Sequence, residues 1–359
     1  MIAAELPPIP RRGVLRLLAA PALGAWPAAG ATLVAPPAPP PLRQAWRDFQ
    51  ARFVLPEGRV VDTGNQGVSH SEGQGWALLC AERCGDRAGF DLLLDWTRRA
   101  LRRPDDHLHA WRHVPGAVQA ASDRNNASDG DLFIAAALLL AARRWNEPAY
   151  AAAGTAIARD VLRLLLRRVA GRTVLLPGVA GFEGAEFVIL NPSYYAFPAI
   201  RLLAQAVPDP AWLRLAADGI GLLRGARFGR WGLPPDWLAL RRADGVASLP
   251  PARPPRFSYD AVRVPLYLAW AGLADEPPVQ AALHFWNDRT HPYLPAWADL
   301  PTDRISPYAA SGGVVALRAW IAGLGTGATM AAGRRSRDNE DDYYAAVLKI
   351  LTMIANLDL

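Results

Sequence analysis

Lysine is almost absent from this chain of 359 residues: Lys349 stands alone, so arginine supplies nearly all of the 39 basic side chains. No block of five or more basic residues occurs, and 33 interspersed acids leave a net charge of only +6. That pattern argues against nucleic-acid binding despite a pI near 9.7. Cysteine is nearly as scarce. Cys80 and Cys84 cannot build a disulfide scaffold or a four-thiolate zinc site. The six histidines show no His-Glu-x-x-His spacing, so neither a metal nor another cofactor is expected. An uninterrupted membrane span is missing too. The apolar stretch from Leu15 to Ala31 is broken by Arg16, Pro21 and Pro27, whereas a spanning helix needs about 20 apolar residues in a row.

What is present is globular composition, 51% hydrophobic and 20% charged, with 13 tryptophans that offer flat faces to a ligand. Residues 1–31 read as an export signal. Arg11-Arg12-Gly13-Val14-Leu15 is a twin-arginine pattern, and Ala29-Gly30-Ala31 is a small-x-small cleavage site. The expected location is periplasmic or secreted, with no stable membrane insertion after cleavage. Residues 32–41 form a proline-rich spacer, stiff and extended, and folded structure is expected from about Leu42.

From Leu42 onward, helical apolar spacing recurs. It predicts helices over Leu42–Phe53, Glu72–Glu82, Gly89–Leu101, Asp129–Trp145, Ala149–Val169, Tyr194–Ala206, Ala211–Leu223, Val264–Leu273, Val279–Trp286, Ser311–Ala322 and Asp341–Asn356. Val174–Pro177 is a short strand candidate, but no strands alternate with the helices. Helix pairs separated by long loops suit a ring of helical hairpins, an all-α fold forming one domain over residues 42–359. Cys80 and Cys84, one helical turn apart, are expected as core thiols, because a regular helix gives poor disulfide geometry.

Three carboxylates stand where helices begin. In Ser69-His70-Ser71-Glu72-Gly73-Gln74-Gly75, the spacing of Ser69 and Glu72 suits a capping box. Capping asks nothing of Gly73 and Gly75, which cost about 1 kcal/mol each relative to alanine, so something must approach that backbone closely. In Asn125-Asn126-Ala127-Ser128-Asp129-Gly130-Asp131, Ser128 and Asp131 also suit a cap, which leaves Asp129 and Gly130 unexplained. In Ser258-Tyr259-Asp260-Ala261-Val262-Arg263-Val264-Pro265, a helix from Ala261 would place Pro265 where it loses a hydrogen bond, so an irregular turn around Asp260 is expected. In a helical ring, the loops that lead into the inner helices gather at one end. Paired carboxyls gathered there are what glycoside hydrolysis requires, one protonated and one ionised.

The segment from Ala127 to Trp145, ASDGDLFIAAALLLAARRW, resembles the signature of glycoside hydrolase family 8 along its whole length. Ser71-Glu72-Gly73-Gln74 is similar to that family's general-acid segment, and Tyr259-Asp260-Ala261-x-Arg263 to the segment carrying its base. Asn191-Pro192-Ser193-Tyr194-Tyr195 resembles a further family segment, and the order along the chain agrees. The resemblance covers most of residues 55–325, and within the family it is greatest to endoglucanases encoded beside bacterial cellulose synthases.

The resemblance implies an (α/α)6 barrel of six helical hairpins and an inverting endo-β-1,4-glucanase acting on β-1,4-glucan. It implies Glu72 as general acid and Asp260 as general base. Asp129, Tyr194, Tyr259 and Arg263 would bind the sugar at the cleavage point. Trp111, in the loop His107–His113, would be a stacking platform. The cellulose-synthase machinery is the implied protein partner. Xylan, mixed-linkage glucan and chitosan are alternative substrates, and a non-catalytic glucan-binding export accessory is an alternative of a different class. The chemistry adds two expectations. The carboxyls of an inverting pair lie roughly 6.5–9.5 Å apart to admit a water. Glu72 should have an elevated pKa, because a general acid must hold its proton until the sugar arrives.

Overall fold

The computed structural model describes residues 37–117, 123–324 and 341–359. The expected export signal, residues 1–31, and most of the spacer lie outside the described residues. Eleven α-helices occur among the described residues, and all correspond to the predicted segments. They are α1 Pro40–Phe53, α2 Ser71–Cys84, α3 Arg87–Ala100, α4 Ser128–Trp145, α5 Pro148–Leu165 and α6 Phe197–Ala206. They continue with α7 Pro210–Gly225, α8 Arg263–Trp270, α9 Pro277–Trp286, α10 Gly312–Leu324 and α11 Tyr343–Asp358. The spacer ends earlier than expected. Pro40 and Pro41 open α1, because the first turn of a helix tolerates a residue without an N–H.

The contacts close a circle: α2 packs on α4, α4 on α6, α6 on α8, α8 on α11 and α11 on α2. Helices α1, α3, α5, α7 and α9 pack around that circle, and α10 joins α11 to α9. Among the described residues these are five inner and five outer helices with α10 beside them, eleven of the twelve that six hairpins would supply, in the double-circle arrangement of an (α/α)6 barrel. Composition separates the two circles. In α4, nearly every residue from Ser128 to Ala142 is buried, and α2 is buried from Gly73 to Glu82. Outer α3 buries only Phe90, Leu93, Leu94, Trp96 and Thr97, one face of the helix. One continuous apolar core runs from Leu42 in α1 to Ala355 in α11.

Strands are short and confined to loops. The Val174 prediction holds as β4 Arg172–Leu175, paired antiparallel with β3 Leu166–Val169. The helix predicted to Val169 therefore stops at Leu165, where the chain turns into that hairpin. The ladder that matters for the site joins β1 Ser69–His70 to β2 Arg112–His113. It ties the residues before Glu72 to the loop carrying Trp111. A small satellite core of Trp96, Leu101 and Ala110 supports that loop. Further pieces are β5 Phe187–Leu190, β6 Leu238–Arg241 and β7 Ala247–Ser248 in one sheet, and β8 Arg256–Phe257 paired with β9 Ala298–Asp299.

Helix α2 ends at Gly85, whose φ of 71° gives a left-handed cap. Cys80 and Cys84 both lie within the helix as free thiols, as expected. No helix among the described residues is long and apolar enough to cross a membrane.

Candidate active site

The N-termini of α2 and α4 meet backbone to backbone, and glycine makes this possible. A Cβ on Gly130 would stand 2.3 Å from Ser71 Oγ and 2.7 Å from the Glu72 nitrogen. A Cβ on Gly75 would stand 2.9 Å from Phe133 Cβ and 3.1 Å from the Gly130 oxygen. The close approach foreseen from the two glycines of the first cluster is thus the neighbouring helix. Gly73 is needed for another reason: the Tyr343 hydroxyl of α11 fills the space its Cβ would take. This contact between helix starts carries Glu72 and Asp129 to one point.

Both capping expectations fail. The N-caps are His70 and Ala127, neither with a side-chain cap bond, and the hydroxyls of Ser71 and Ser128 are buried without a partner. Each helix begins so close to the other that no room remains for a serine to fold back. Asp131 has a different task. Its carboxylate accepts the N–H of His109 at 2.9 Å, pairs with the His109 ring at 2.9 Å, and accepts Asn126 Nδ2 at 2.9 Å. It thereby anchors the loop leading to Trp111. Gln74 is likewise structural, accepting from the Val60 N–H and donating to Thr97 Oγ1 at 2.8 Å.

Arg263 is the hub. It is 1% exposed, and its guanidinium faces three carboxylates. Nη1 pairs with Glu72 and, at 3.2 Å, with Asp129; Nη2 pairs with Asp260 at 2.5 Å and donates to Ser193 Oγ at 3.0 Å. The arginine therefore stands between Glu72 and Asp260, which meet across its fork and not directly. Asp260 sits in the irregular turn expected from Pro265, since α8 begins only at Arg263. Arg263 orients Asp260, three residues before it, and it holds Glu72 and Asp129 as well.

Four charged groups so close share protons unequally. Burial raises the Asp129 carboxyl well above the usual range, and the neighbouring Glu72 adds to the effect. Burial also pushes Glu72 up, but Arg263, a hydrogen bond with Asp129 and the nearby His70 outweigh it and leave Glu72 below its ordinary value. This corrects the expectation of an elevated Glu72. Burial thus favours the protonated form of Asp129, while Arg263 favours the ionised form of Glu72. Asp260 is raised by burial and by Glu72, with Arg263 opposing.

The remaining predicted residues divide between floor and rim. Tyr194 belongs to the floor, its ring 5.9 Å from the Arg263 guanidinium. Burial and the negative charge of Asp129, Asp260 and Glu72 hold its phenol well above the normal range. Trp111 stands just outside, stacked on His70 at 5.9 Å with Nε1 bonded to Asp123 at 2.7 Å. Tyr259 does not join the floor. It is 53% exposed, its hydroxyl 3.5 Å from that of Tyr308, and its carbonyl accepts from Tyr344. Burial and Tyr308 push its phenol up to about 12. Alternation along the turn sends Asp260 inward and its neighbour out.

Several residues were not foreseen. Ser193 holds Arg263 and is itself held by Asn191 Oδ1 at 2.7 Å. The buried Asn191 Nδ2 has no hydrogen-bond partner in strict geometry, yet it lies near enough to Asp260 to favour the ionised form. It is a donor left over beside Asp260. Trp237 stacks on Phe182 at 5.9 Å with planes 4° apart and approaches Tyr194. Trp297 donates to Tyr308 at 3.0 Å and extends the rim beyond Tyr259. Asn191 and Ser193 lay within a recognised segment; the rim aromatics carried no local signal among 13 tryptophans.

Known proteins resemble this chain over most of its length. The family model described as glycosyl hydrolases family 8 matches residues 9–358. A probable endoglucanase of Novacetimonas hansenii is 43% identical over 324 residues, which is 90% of this chain and 93% of the relative. An endoglucanase of Cellulomonas uda is 42% identical over 278 residues, 76% of each chain. Among solved structures, the endo-β-1,4-glucanase CMCax from Acetobacter xylinum superposes with a TM-score of 0.81 at 42% identity, covering 88% of this chain and 98% of that one. The chain belongs to family 8 of the glycosyl hydrolases.

Proposed function

We propose that this protein is an inverting endo-β-1,4-glucanase that cleaves cellulose-type glucan within the chain. The observation that carries the reading is the single buried arginine gripping Glu72, Asp129 and Asp260 at one end of the barrel. The endoglucanase names of its relatives support the substrate class.

In this mechanism the glucan lies across the helix N-termini, with aromatic rings such as Trp111 and Trp237 against its pyranose faces. Glu72 begins in its ionic pair with Arg263. A sugar ring seated over the arginine competes for its N–H groups and displaces Glu72. Released from that charge, in a site dried by substrate, Glu72 takes the proton held on Asp129. It then donates that proton to the leaving glycosidic oxygen. Asp260 removes a proton from a water on the opposite face of the ring, and the water attacks C1 with inversion. Tyr194 and the now ionised Asp129 bind the distorted sugar.

The proposal includes export to the periplasm or beyond and service to a cellulose-synthesising apparatus. The Arg11-Arg12 pattern and the family resemblance support this part. The activity is tested by incubating wild type and Glu72→Gln with carboxymethyl cellulose while following viscosity and reducing ends. A rapid fall in viscosity with few new ends, abolished in the variant, is expected. A folded wild type that leaves cellulose intact and degrades xylan or chitosan would overturn the substrate assignment.

A further inference from the structure

Asp236 is a fourth acid close to the site, and no step of the hydrolysis uses it. It follows Pro234-Pro235, precedes Trp237 and is 7% exposed. Its Oδ1 accepts two backbone N–H groups, from Ser258 at 2.9 Å and from Ala261 at 2.8 Å. Its Oδ2 takes the Ser258 hydroxyl. Its own N–H donates to the Arg256 carbonyl at 2.7 Å. One carboxyl thus fastens the chain on both sides of Asp260.

The segment it fastens needs such a fixture. Ser258 to Val262 is neither helix nor strand, so its N–H groups have no ladder to join. The turn closes locally with three bonds, each at 3.0 Å: Val262 N–H to the Ser258 carbonyl, Arg263 N–H to the Asp260 carbonyl and Val264 N–H to the Ala261 carbonyl. The amides of Ser258 and Ala261 are left to Asp236. The prolines before it restrict the backbone that carries the carboxyl.

We propose that Asp236 is a positioning residue for the general base: by bridging the amides of Ser258 and Ala261, it aims the Asp260 carboxylate at the attacking water. The inference rests on the reading of Asp260 as base. The protonation of Asp236 fits this role. Burial and the nearby Asp260 push it up to about 7, so over the acidic range it is a neutral acid. The neutral form still accepts both amides on Oδ1 and can donate from Oδ2 to Ser258. Bridging, not charge, is therefore its contribution, and an asparagine carbonyl can reproduce most of it.

The test compares wild type, Asp236→Ala, Asp236→Asn, Ser258→Ala and Glu72→Gln on carboxymethyl cellulose and on β-cellobiosyl fluoride. Fluoride departs without protonation, so the second substrate needs the base and not the acid. Asp236→Ala is expected to lose about tenfold to a hundredfold in kcat on both substrates, with KM within about twofold, as a misaimed reacting group does. Asp236→Asn should recover kcat to within about threefold of wild type, and Ser258→Ala should lose about threefold on both substrates. Glu72→Gln should lose far less on the fluoride than on the polymer. The proposal is overturned if folded Asp236→Ala keeps full kcat, loses only KM, or is impaired on cellulose alone. If Asp236→Ala does not fold, an unimpaired Ser258→Ala or a deeply impaired Asp236→Asn overturns it. A wild type inactive on both substrates instead removes the glucanase reading itself.

Discussion

The two sides of the site, the one proposed as acid and the one proposed as base, are built by different means. Glu72 and Asp129 arrive on two helices whose starts are pressed together through Gly75 and Gly130. Their positions follow from the packing of α2 on α4, and little else is needed. Asp260 arrives on a turn with no regular structure, held by Asp236 from a loop 24 positions earlier and by Arg263 from the helix beyond. On the proposed mechanism, rigid packing serves the two groups that exchange a proton with each other. A side-chain clamp serves the group that must meet a water.

The sharpest way to break this comparison is to remove one acid from each side. Glu72→Gln and Asp260→Asn should each lower kcat on cellulose by about a thousandfold or more, as removal of an essential acid or base commonly does, with Tm nearly unchanged. Only Asp260→Asn should be comparably impaired on β-cellobiosyl fluoride. Equal losses of both variants on that substrate would dissolve the distinction between acid and base.

The next largest effect tests the helix contact. Gly130→Ala adds a methyl 2.7 Å from the Glu72 backbone nitrogen. Overpacking of this kind costs about 1–3 kcal/mol, and here it displaces the acid as well. Both Tm and kcat should fall, kcat by about tenfold or more. An active, fully stable Gly130→Ala would show that the close approach is not what places Glu72.

A smaller effect tests the crowding of charge. Asp129 has an ordinary value near 3.9 when unfolded and a strongly raised one when folded. Above about pH 4 the folded protein therefore binds more protons at this residue than the unfolded one. That contribution to stability declines as pH rises through the folded value. Asp129→Asn abolishes the decline while leaving a polar side chain in place. Its Tm relative to wild type should increase between about pH 5 and about pH 8 in differential scanning fluorimetry. A Tm difference that does not change with pH would contradict the placement of the proton on Asp129.

The rim should give the smallest effect. Trp111→Ala removes one sugar-facing ring and should raise KM about threefold to tenfold with kcat little changed, corresponding to roughly 1 kcal/mol of binding.

The same contrast explains what the sequence discloses. Each helix appears as a periodic pattern, because its burial is set by residues three and four apart. The glycines beside Glu72 signalled a close approach, because their cost within a helix needs a reason, whereas Gly130 beside Asp129 was only left unexplained by a cap. Pro265 marked the turn at Asp260 through its missing N–H. What remained hidden depends on partners far apart in the chain. Asp236 is 24 positions from Asp260, and Arg263 is 191 from Glu72, so no local spacing foretells the clamp or the ion pair. The pKa of Glu72 was misjudged for the same reason. The arginine that reverses the sign belongs to another helix. Ser69 and Ser128 misled in the opposite way: local spacing suggested caps that the contact between α2 and α4 leaves no room to form.

The most direct test of the central claim, that Arg263 organises an inverting pair, is the configuration of the first product. Cellopentaose is hydrolysed by wild type in an NMR tube, with Glu72→Gln as control, and the anomeric protons are recorded before mutarotation. The account predicts that the α-anomer appears first and the β-anomer grows in later. Initial release of the β-anomer would mean retention, and would contradict the roles given to Glu72 and Asp260.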